Sequence, residues 1–562
     1  MPLYMLATGA APAAVRACLM AMLTLWLARR HRLKDGLHLL AASMMAMLIW
    51  DPLLIEDVSF QLSFIVTAGL LLFVPVVTAS LPIRWPWLRS SVAVALTAQA
   101  ISFPLTAYYF HAVHLLSLPA NFVLVPLVSF IVLPLGMASV VLGGMWEPLG
   151  KAPAMLAMMG NELTFAVADR LADFIRLRTI WPQPSLLWVL TGFGWMGLVG
   201  YGLRLRQARK RERLWWAEQW EQAKELAARE AATAPLKPVN VPTVYSRQRY
   251  IAFMMAILVF GAIWLAWGFR PEWTDRAGEV MFLDVGQGDS ILIRSGKGRH
   301  VLVDAGGTVV FRKPGDAWRE RSDPYEVGRK LLVPLLQRRG VRSLDALVLT
   351  HLDADHIGGA RAIIDNVPIR AIVFNGTLKI SLDALSLFKL ADDRGIPCYA
   401  AGAPMRWIVD DTLSLEALSP IPETNLSTLD RIPLAKDQND QSVVLLATLY
   451  GRTFLLPGDL EAKGERAVVN ALSGENQRRA HVDVLKAGHH GSKTSTTDAW
   501  LRFWGPAHTV ISVGRNNPYG HPHPTVTERL AAFGTLILRT DRDGEIQYRV
   551  RSDGTMERRT KR

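Results

Sequence analysis

Four side chains that can bind a metal, His351, Asp353, Asp355 and His356, fall within the stretch LTHLDADHIGG, residues 349–359. Two imidazoles and two carboxylates supply borderline nitrogen and hard oxygen donors. That mix suits Zn2+ or Mn2+, and the residue types do not choose between them. One short motif cannot close both shells of a two-metal site, so further ligands must come from downstream. FLLPGDLE offers Asp459, and VDVLKAGHHGSKTS offers His489 and His490, one or both of which can serve. Two divalent ions about 3.5–4 Å apart share a water, lower its pKa and clamp the attacking and leaving oxygens. Asp459 suits a bridging role. Asp304 and loop hydroxyls suit the task of holding the outer nitrogens of the histidines.

Each piece alone says little, since a histidine pair is usually surface or core and a Gly-Asp pair is usually a turn. Context changes this. Residues 280–284 (VMFLD), 300–304 (HVLVD) and 345–350 (DALVLT) read as strands that end in an Asp, in an Asp and just before His351. Donors gathered at strand ends along one sheet edge are a common way to build a site. Lys486, Ser492, Lys493, Asn517 and His521 lie near these motifs. They are candidates to contact a phosphate, and Lys486 and His521 also to protonate a leaving oxygen. A solvated surface role for the lysines, and a plain loop role for His521, stand beside those readings.

Half of the 562 residues are hydrophobic, too many for an ordinary soluble chain. The excess is uneven. Apolar runs near the length of a membrane-crossing helix are read at 10–28, 36–55, 60–80, 91–111, once or twice within 115–168, and at 184–203 and 250–268. The run 115–168 is broken by Pro119, Pro126 and Pro134, which predicts either a re-entrant or broken helix or kinked helices in a bundle. Gln99 and Asn121 are polar within apolar runs, for function or for packing. The net charge of +13 is mostly a membrane signature. Residues 1–270 hold 23 Lys+Arg against 13 Asp+Glu, and residues 271–562 hold 39 against 36. RRHRLK at 29–34 and the cluster Arg204–Arg213 are expected on the cytoplasmic side. A single crossing by 250–269 then carries the C-terminal half outside. The expected organisation is a membrane domain over 1–205, a cytoplasmic helical segment and Pro-broken linker over 206–249, a last span over 250–269 and a soluble domain over 271–562. Cys18 and Cys398 have no neighbours of a zinc site and no reason to pair.

The soluble half resembles the metallo-β-lactamase superfamily, and more narrowly the C-terminal domain of ComEC-type DNA-uptake (competence) proteins. FLDVGQGDSILI, LVDAGG, LTHLDADHIGG, NDQSVVL, LLPGDLE, KAGHHGSKTS and SVGRNNPYGHP carry the likeness. In the apolar half TGAAPAAVRA, DPLLIEDVSFQLSF and LPANFVLVPL are similar to that family's competence region. The resemblance implies a multi-span α-helical membrane domain followed by an αββα sandwich with its site at one edge of two packed sheets. It also implies an inner-membrane channel that passes one DNA strand inward while the outer domain degrades the other. The implied ligands are His351, Asp353, Asp355, His356, Asp459 and one or both of His489 and His490, around two Mn2+ or Zn2+ ions. Asp353 replaces the middle histidine of the HxHxDH pattern. The isolated histidine expected before the Gly-Asp motif is absent, with Asn439 or Asp440 the nearest substitute. An OB-type domain that precedes this region in the family is expected to be missing.

Three functions follow as expectations. The first is metal-dependent hydrolysis of DNA phosphodiesters at the outer face of the bacterial inner membrane. The expected partners are DNA, membrane lipid, a second copy of the chain, and uptake machinery comprising a DNA receptor, a pilus and a cytoplasmic motor. The second is a membrane-anchored hydrolase of another phosphodiester or ester. The third is a DNA transporter whose outer domain only binds.

Overall fold

The computed structural model describes residues 12–29, 36–114, 116–172, 178–229, 247–270, 275–307, 325–421, 432–476, 481–515 and 517–561. The basic stretch at 30–34, the start of the TGAAPAAVRA motif and most of the Pro-broken linker lie outside these residues. The chain divides into two compact units, Met1–Phe269 and Arg270–Arg562.

In the first unit, helices occupy each apolar run. Among the described residues, five are long and apolar enough to cross a membrane: Val58–Ser80, Pro86–Phe110, Ser117–Met145, Leu186–Glu225 and Gln248–Phe269. The span expected over 36–55 is shorter, a helix from Gly36 to Trp50. Asp51 ends it, because its carboxylate accepts from the Leu53 N–H and Pro52 follows. The Pro-rich run does not break the helix. Ser117–Met145 is continuous, with one wider turn at Val128–Val132, where the Leu133 N–H donates to the Val128 carbonyl. That register slip absorbs the donor Pro134 lacks. Gln99 packs rather than standing alone, since its Oε1 accepts from the Ser117 hydroxyl at 3.2 Å. Two short strands, β1 (Ala112–His114) and β2 (Arg178–Ile180), pair antiparallel.

The polar stretch expected as a separate cytoplasmic segment continues the preceding span. Leu186–Arg229 is one helix of 44 residues, roughly 66 Å long at 1.5 Å per residue. Helix formers such as Gln, Glu, Lys and Ala fill its second half with no Gly or Pro to stop it. It is fixed to the helix Arg247–Phe269 by Trp188 and Trp264, whose rings stack 4.2 Å apart. Each indole N–H donates to the other residue's carbonyl, at 2.8 and 2.9 Å.

The second unit has four layers. One sheet runs, in order, β17 (Met556–Lys561), β16 (Glu545–Val550), β3 (Gly278–Phe282), β4 (Ile291–Arg294), β5 (His300–Val303), β6 (Ala346–Leu349), β7 (Ile372–Phe374) and β8 (Cys398–Ala400). The other runs β15 (Leu536–Arg539), β14 (His508–Ile511), β13 (Val484–Lys486), β12 (Arg452–Leu456), β11 (Val444–Leu449), β10 (Leu413–Ser419) and β9 (Met405–Asp410). The strand alternation is visible in the burial. Phe282, Ile293, Val303 and Val348 meet Leu445, Phe454, Val484 and Val510 between the sheets. Their neighbours Met281, Leu292, Leu302 and Leu347 face helices outside the first sheet, with Leu336, Ile363 and Leu387. Leu455, Leu485 and Ile511 face helices outside the second, with Trp500, Leu501 and Val526. With both faces of each sheet covered, strands such as β6 (ALVL) and β7 (IVF) are apolar at every position, as parallel strands buried on both sides are. This is the expected αββα sandwich. β5, β6 and β7 are mutually parallel, as are β12, β13 and β14. The loops after β5, β6, β12 and β13 carry the candidate donors.

Candidate metal centre

The loop after β5 begins at Asp304, a non-glycine residue at φ 57. Such backbone costs about 1–3 kcal/mol and persists only where the surroundings hold it. Here the carboxylate holds it. Asp304 Oδ1 accepts from the Thr350 N–H at 2.8 Å, and Oδ2 accepts from the Thr350 hydroxyl at 2.7 Å. Oδ2 also lies 2.8 Å from His356 Nδ1. That contact makes Nδ1 the donor, so His356 Nε2 presents a lone pair inward, 3.3 Å from Asp459 Oδ1. The Thr350 hydroxyl stands 3.2 Å from His351 Nδ1 and orients that ring.

After β13, His489 and His490 are both left-handed, at φ 45 and 52, in one tight turn. The turn separates the pair. His490 is 1 % exposed, and its Nδ1 donates to the Ser512 carbonyl at 3.0 Å. Its Nε2 then faces Asp355 Oδ2 and Asp459 Oδ2, each at 3.4 Å. His489 is more exposed and turns aside, with Nδ1 3.1 Å from Glu461 Oε1 and Nε2 3.7 Å from Asp459.

Among the described residues four sets of donor atoms converge: His351, His356 and Asp459; Asp355, His356 and His490; Asp289, Asp304 and His356; and Asp289, Asp459 and His490. His356 Nε2, His490 Nε2 and Asp459 Oδ1 are buried without hydrogen bonds. Lone pairs that face one another in a dry site need a cation between them. The nitrogen and oxygen donors present fit a divalent ion on that ground. In the protein alone, protons answer part of the demand. Burial acts to lower the His356 and His490 imidazoles, but the Asp459 carboxylate, joined by Asp304 and Asp289 respectively, holds both above their ordinary range. Burial with the nearby His356 pushes His351 down to about 4. Burial acts to raise Asp355, yet the adjacent His490 imidazole and the charge of His356 hold it well below the usual carboxylate range.

Several residues singled out in the sequence stand elsewhere. Asp353 is not in the cluster: its carboxylate is partly exposed and paired with Lys379. Asp353 ends the turn before the short helix Ala354–Ile357, whose rotation sends Asp355 and His356 inward instead. Lys486 is neither a surface group nor a phosphate contact. It is fully buried, paired with Asp289, donating to the Gly458 carbonyl at 2.9 Å and 3.5 Å from Asp459. Asp440 accepts from the Gly464 N–H at 3.0 Å, away from the donors. Ser492 is buried against Thr494, at 3.0 Å between hydroxyls, and Lys493 is exposed. Asn517 braces a loop, donating to the Gly514 and His521 carbonyls at 3.0 and 2.7 Å and accepting from the His521 N–H. That loop sets the His521 ring 5.7 Å from His489. Burial, then His489 and His490, hold His521 down to about 4, so it is neutral at ordinary pH.

Asp289, within the VGQGDS turn, was not singled out. It is 1 % exposed, pairs with Lys486, and lies 3.5 Å from His490 Nδ1. The signal was an acid wedged between a Gly-rich turn and the apolar strand ILI. Gly288 makes the fit possible. At φ +121, a Cβ there would stand 2.1 Å from the Asp355 carbonyl oxygen. Gly288→Ala is expected to displace the Asp355 loop, costing about 1–3 kcal/mol in urea unfolding and weakening metal uptake in a calorimetric titration. Wild-type values in both would show that the close approach is not needed.

The comparisons agree with this architecture. Residues 283–515, within the second unit, match the family model "Metallo-beta-lactamase superfamily". Residues 1–207 match the family model "Competence protein", so the two matches follow one another in the order that the sequence resemblance implies. It is 29% identical over 568 residues to ComE operon protein 3 of Bacillus subtilis, covering 98% of this chain and 63% of that protein. It is 28% identical over 551 residues to competence protein ComA of Neisseria gonorrhoeae, covering 97% and 63%. The chain therefore spans less than two thirds of the length of these relatives. A solved structure described as a putative metal-dependent hydrolase from Parabacteroides distasonis aligns at 12% identity and a TM-score of 0.27, covering 47% of this chain and 94% of that one.

Proposed function

We propose that this chain acts in DNA uptake at the bacterial inner membrane, its first unit passing one strand inward and its second hydrolysing phosphodiesters of the other. The observation that carries the hydrolytic part is the set of buried nitrogen and oxygen atoms of His356, His490 and Asp459 that face one another without hydrogen bonds. A purely binding domain has no use for such a costly arrangement. The competence-family match of the apolar unit supports DNA as the substrate. The cluster Arg204–Arg213 supports a cytoplasmic position for that stretch and an outer one for the hydrolytic unit.

His351, His356 and Asp459 would hold one divalent ion, and Asp355, His490 and Asp459 a second. Zn2+ and Mn2+ both suit these donors. Bound ions supply an activated water at neutral pH and charge to offset that developing on the phosphate. The protein's own part is placement. Asp304 fixes the His356 tautomer and the Ser512 carbonyl fixes that of His490. Ionised Asp355 keeps its charge facing His490, and neutral His521, 5.7 Å from His489, can donate a hydrogen bond to a leaving oxygen. Ser492 and Lys493 lie in the same loop as the histidine pair, and Lys493 is exposed, where it would meet a backbone phosphate.

The test is incubation of residues 271–562, whose hydrophobic clusters are its own, with end-labelled single- and double-stranded DNA plus Mn2+, Zn2+ or chelator. Cleavage that needs metal and disappears in Asp355→Ala is expected. A folded, metal-loaded domain that leaves both DNA forms intact would remove DNA as the substrate.

A further inference from the structure

In the first unit Arg206, Arg209, Lys210 and Arg213 recur at intervals of three, one and three residues along the helix Leu186–Arg229. At 3.6 residues per turn that spacing lays four cations on one face. With Tyr250 and Ile251 of the helix Arg247–Phe269 they line a cavity of about 330 Å³, and this described lining contains no Asp or Glu. The pocket is built, because the reciprocal Trp188–Trp264 hydrogen bonds lock the two helices together. Gln207 also donates to the Val76 carbonyl at 2.8 Å, tying this turn to the helix Val58–Ser80. Arg209 is 7 % exposed and lays its guanidinium 5.1 Å from the centre of the Tyr250 ring. Arg206, Lys210 and Arg213 point to solvent and have no ion pair among the described residues.

We propose that this pocket binds the phosphate headgroup of an anionic phospholipid. Its depth in the fold supports a lipid. The cations begin where the apolar run of Leu186–Glu225 gives out, and Tyr250 stands at the start of the apolar run of Gln248–Phe269. Both helices therefore put the pocket level with the edge of their hydrophobic stretches, where headgroups lie. Exposed Ile251, in the lining and at the start of its helix's apolar run, suits glycerol or acyl chain rather than water. A cavity this size takes one headgroup, not the run of phosphates along a strand. Like charges at i, i+3 and i+4 repel, and a phosphate among them turns that repulsion into attraction.

The test uses the full chain in detergent, measured by native mass spectrometry after addition of phosphatidylglycerol, cardiolipin or phosphatidylcholine. Anionic lipid is expected to be retained over phosphatidylcholine. Arg206→Gln/Lys210→Gln/Arg213→Gln should lose that preference, by roughly fivefold per cation removed. Arg206→Lys/Arg213→Lys, which keeps the charge, should preserve it and controls for misfolding. Equal retention of anionic and zwitterionic lipid, or unchanged retention in the triple variant, overturns the proposal. Displacement of the lipid by millimolar inorganic phosphate, or by a short oligothymidylate, overturns it in favour of free phosphate or a nucleic-acid strand.

Discussion

Asp459→Asn is expected to abolish hydrolysis and leave the fold assembled. Asp459 lies 3.3 Å from His356 Nε2 and 3.4 Å from His490 Nε2, and it shares a donor set with His351. Removing its charge weakens every ion position in the cluster at once. Charge stabilisation by a bound metal is worth several kcal/mol at the transition state, and about 4 kcal/mol corresponds to about a thousandfold in rate. The amide keeps the shape, and the strand β12 that leads to it is packed on both faces by Phe454 and Leu455. The checks are the rate of metal-dependent cleavage, metal content, and the circular dichroism of the variant. A rate within tenfold of wild type would remove Asp459 from the centre. Chelator should reduce the wild-type protein to the level of the variant.

The second large effect is on stability. Lys486→Met is expected to cost about 3–5 kcal/mol, the usual penalty for leaving a buried charge without its partner. Lys486 is fully buried with Asp289, both with side chains 1 % exposed or less. Burial acts to lower the Lys486 ammonium, but Asp289 and Asp459 outweigh it and raise it, so it is charged in the folded protein. Without it, Asp289 and Asp459 face each other's neighbourhood with only imidazoles to offset them. Urea unfolding of residues 271–562 in chelator measures the loss. Lys486→Met/Asp289→Asn should recover a large part of it, since the stranded charge goes too. Saturating divalent ion should narrow the gap, because the ion replaces positive charge beside Asp459. A loss below about 1 kcal/mol in chelator would mean that water reaches Lys486 and the pair is not sealed.

The helices were readable wherever apolar runs were long, but their ends were not. Asp51-Pro52 stopped one short of the expected boundary, and nothing stopped Leu186–Arg229 at residue 205. The strands that carry Asp304, His351 and Asp459 were readable because donors followed apolar runs. Asp289 was missed because its role depends on Lys486, nearly two hundred residues away along the chain.

By itself, the sequence determined which residue types lie close along the chain: two His and two Asp in six positions, a histidine pair, a Gly-Asp turn and a series of apolar runs. Spacing and period are local properties, so they survive without coordinates. The tertiary structure alone decided which donors meet. It sends His490 inward and His489 aside through two left-handed residues, and leaves Asp353 with Lys379. It seats Lys486 beneath Asp289 and closes four cations against Tyr250. Those outcomes depend on the sign of φ at single residues and on the register of strands and helices far apart in the chain. Neither quantity is encoded in local hydrophobic pattern, because many registers bury the same apolar side chains.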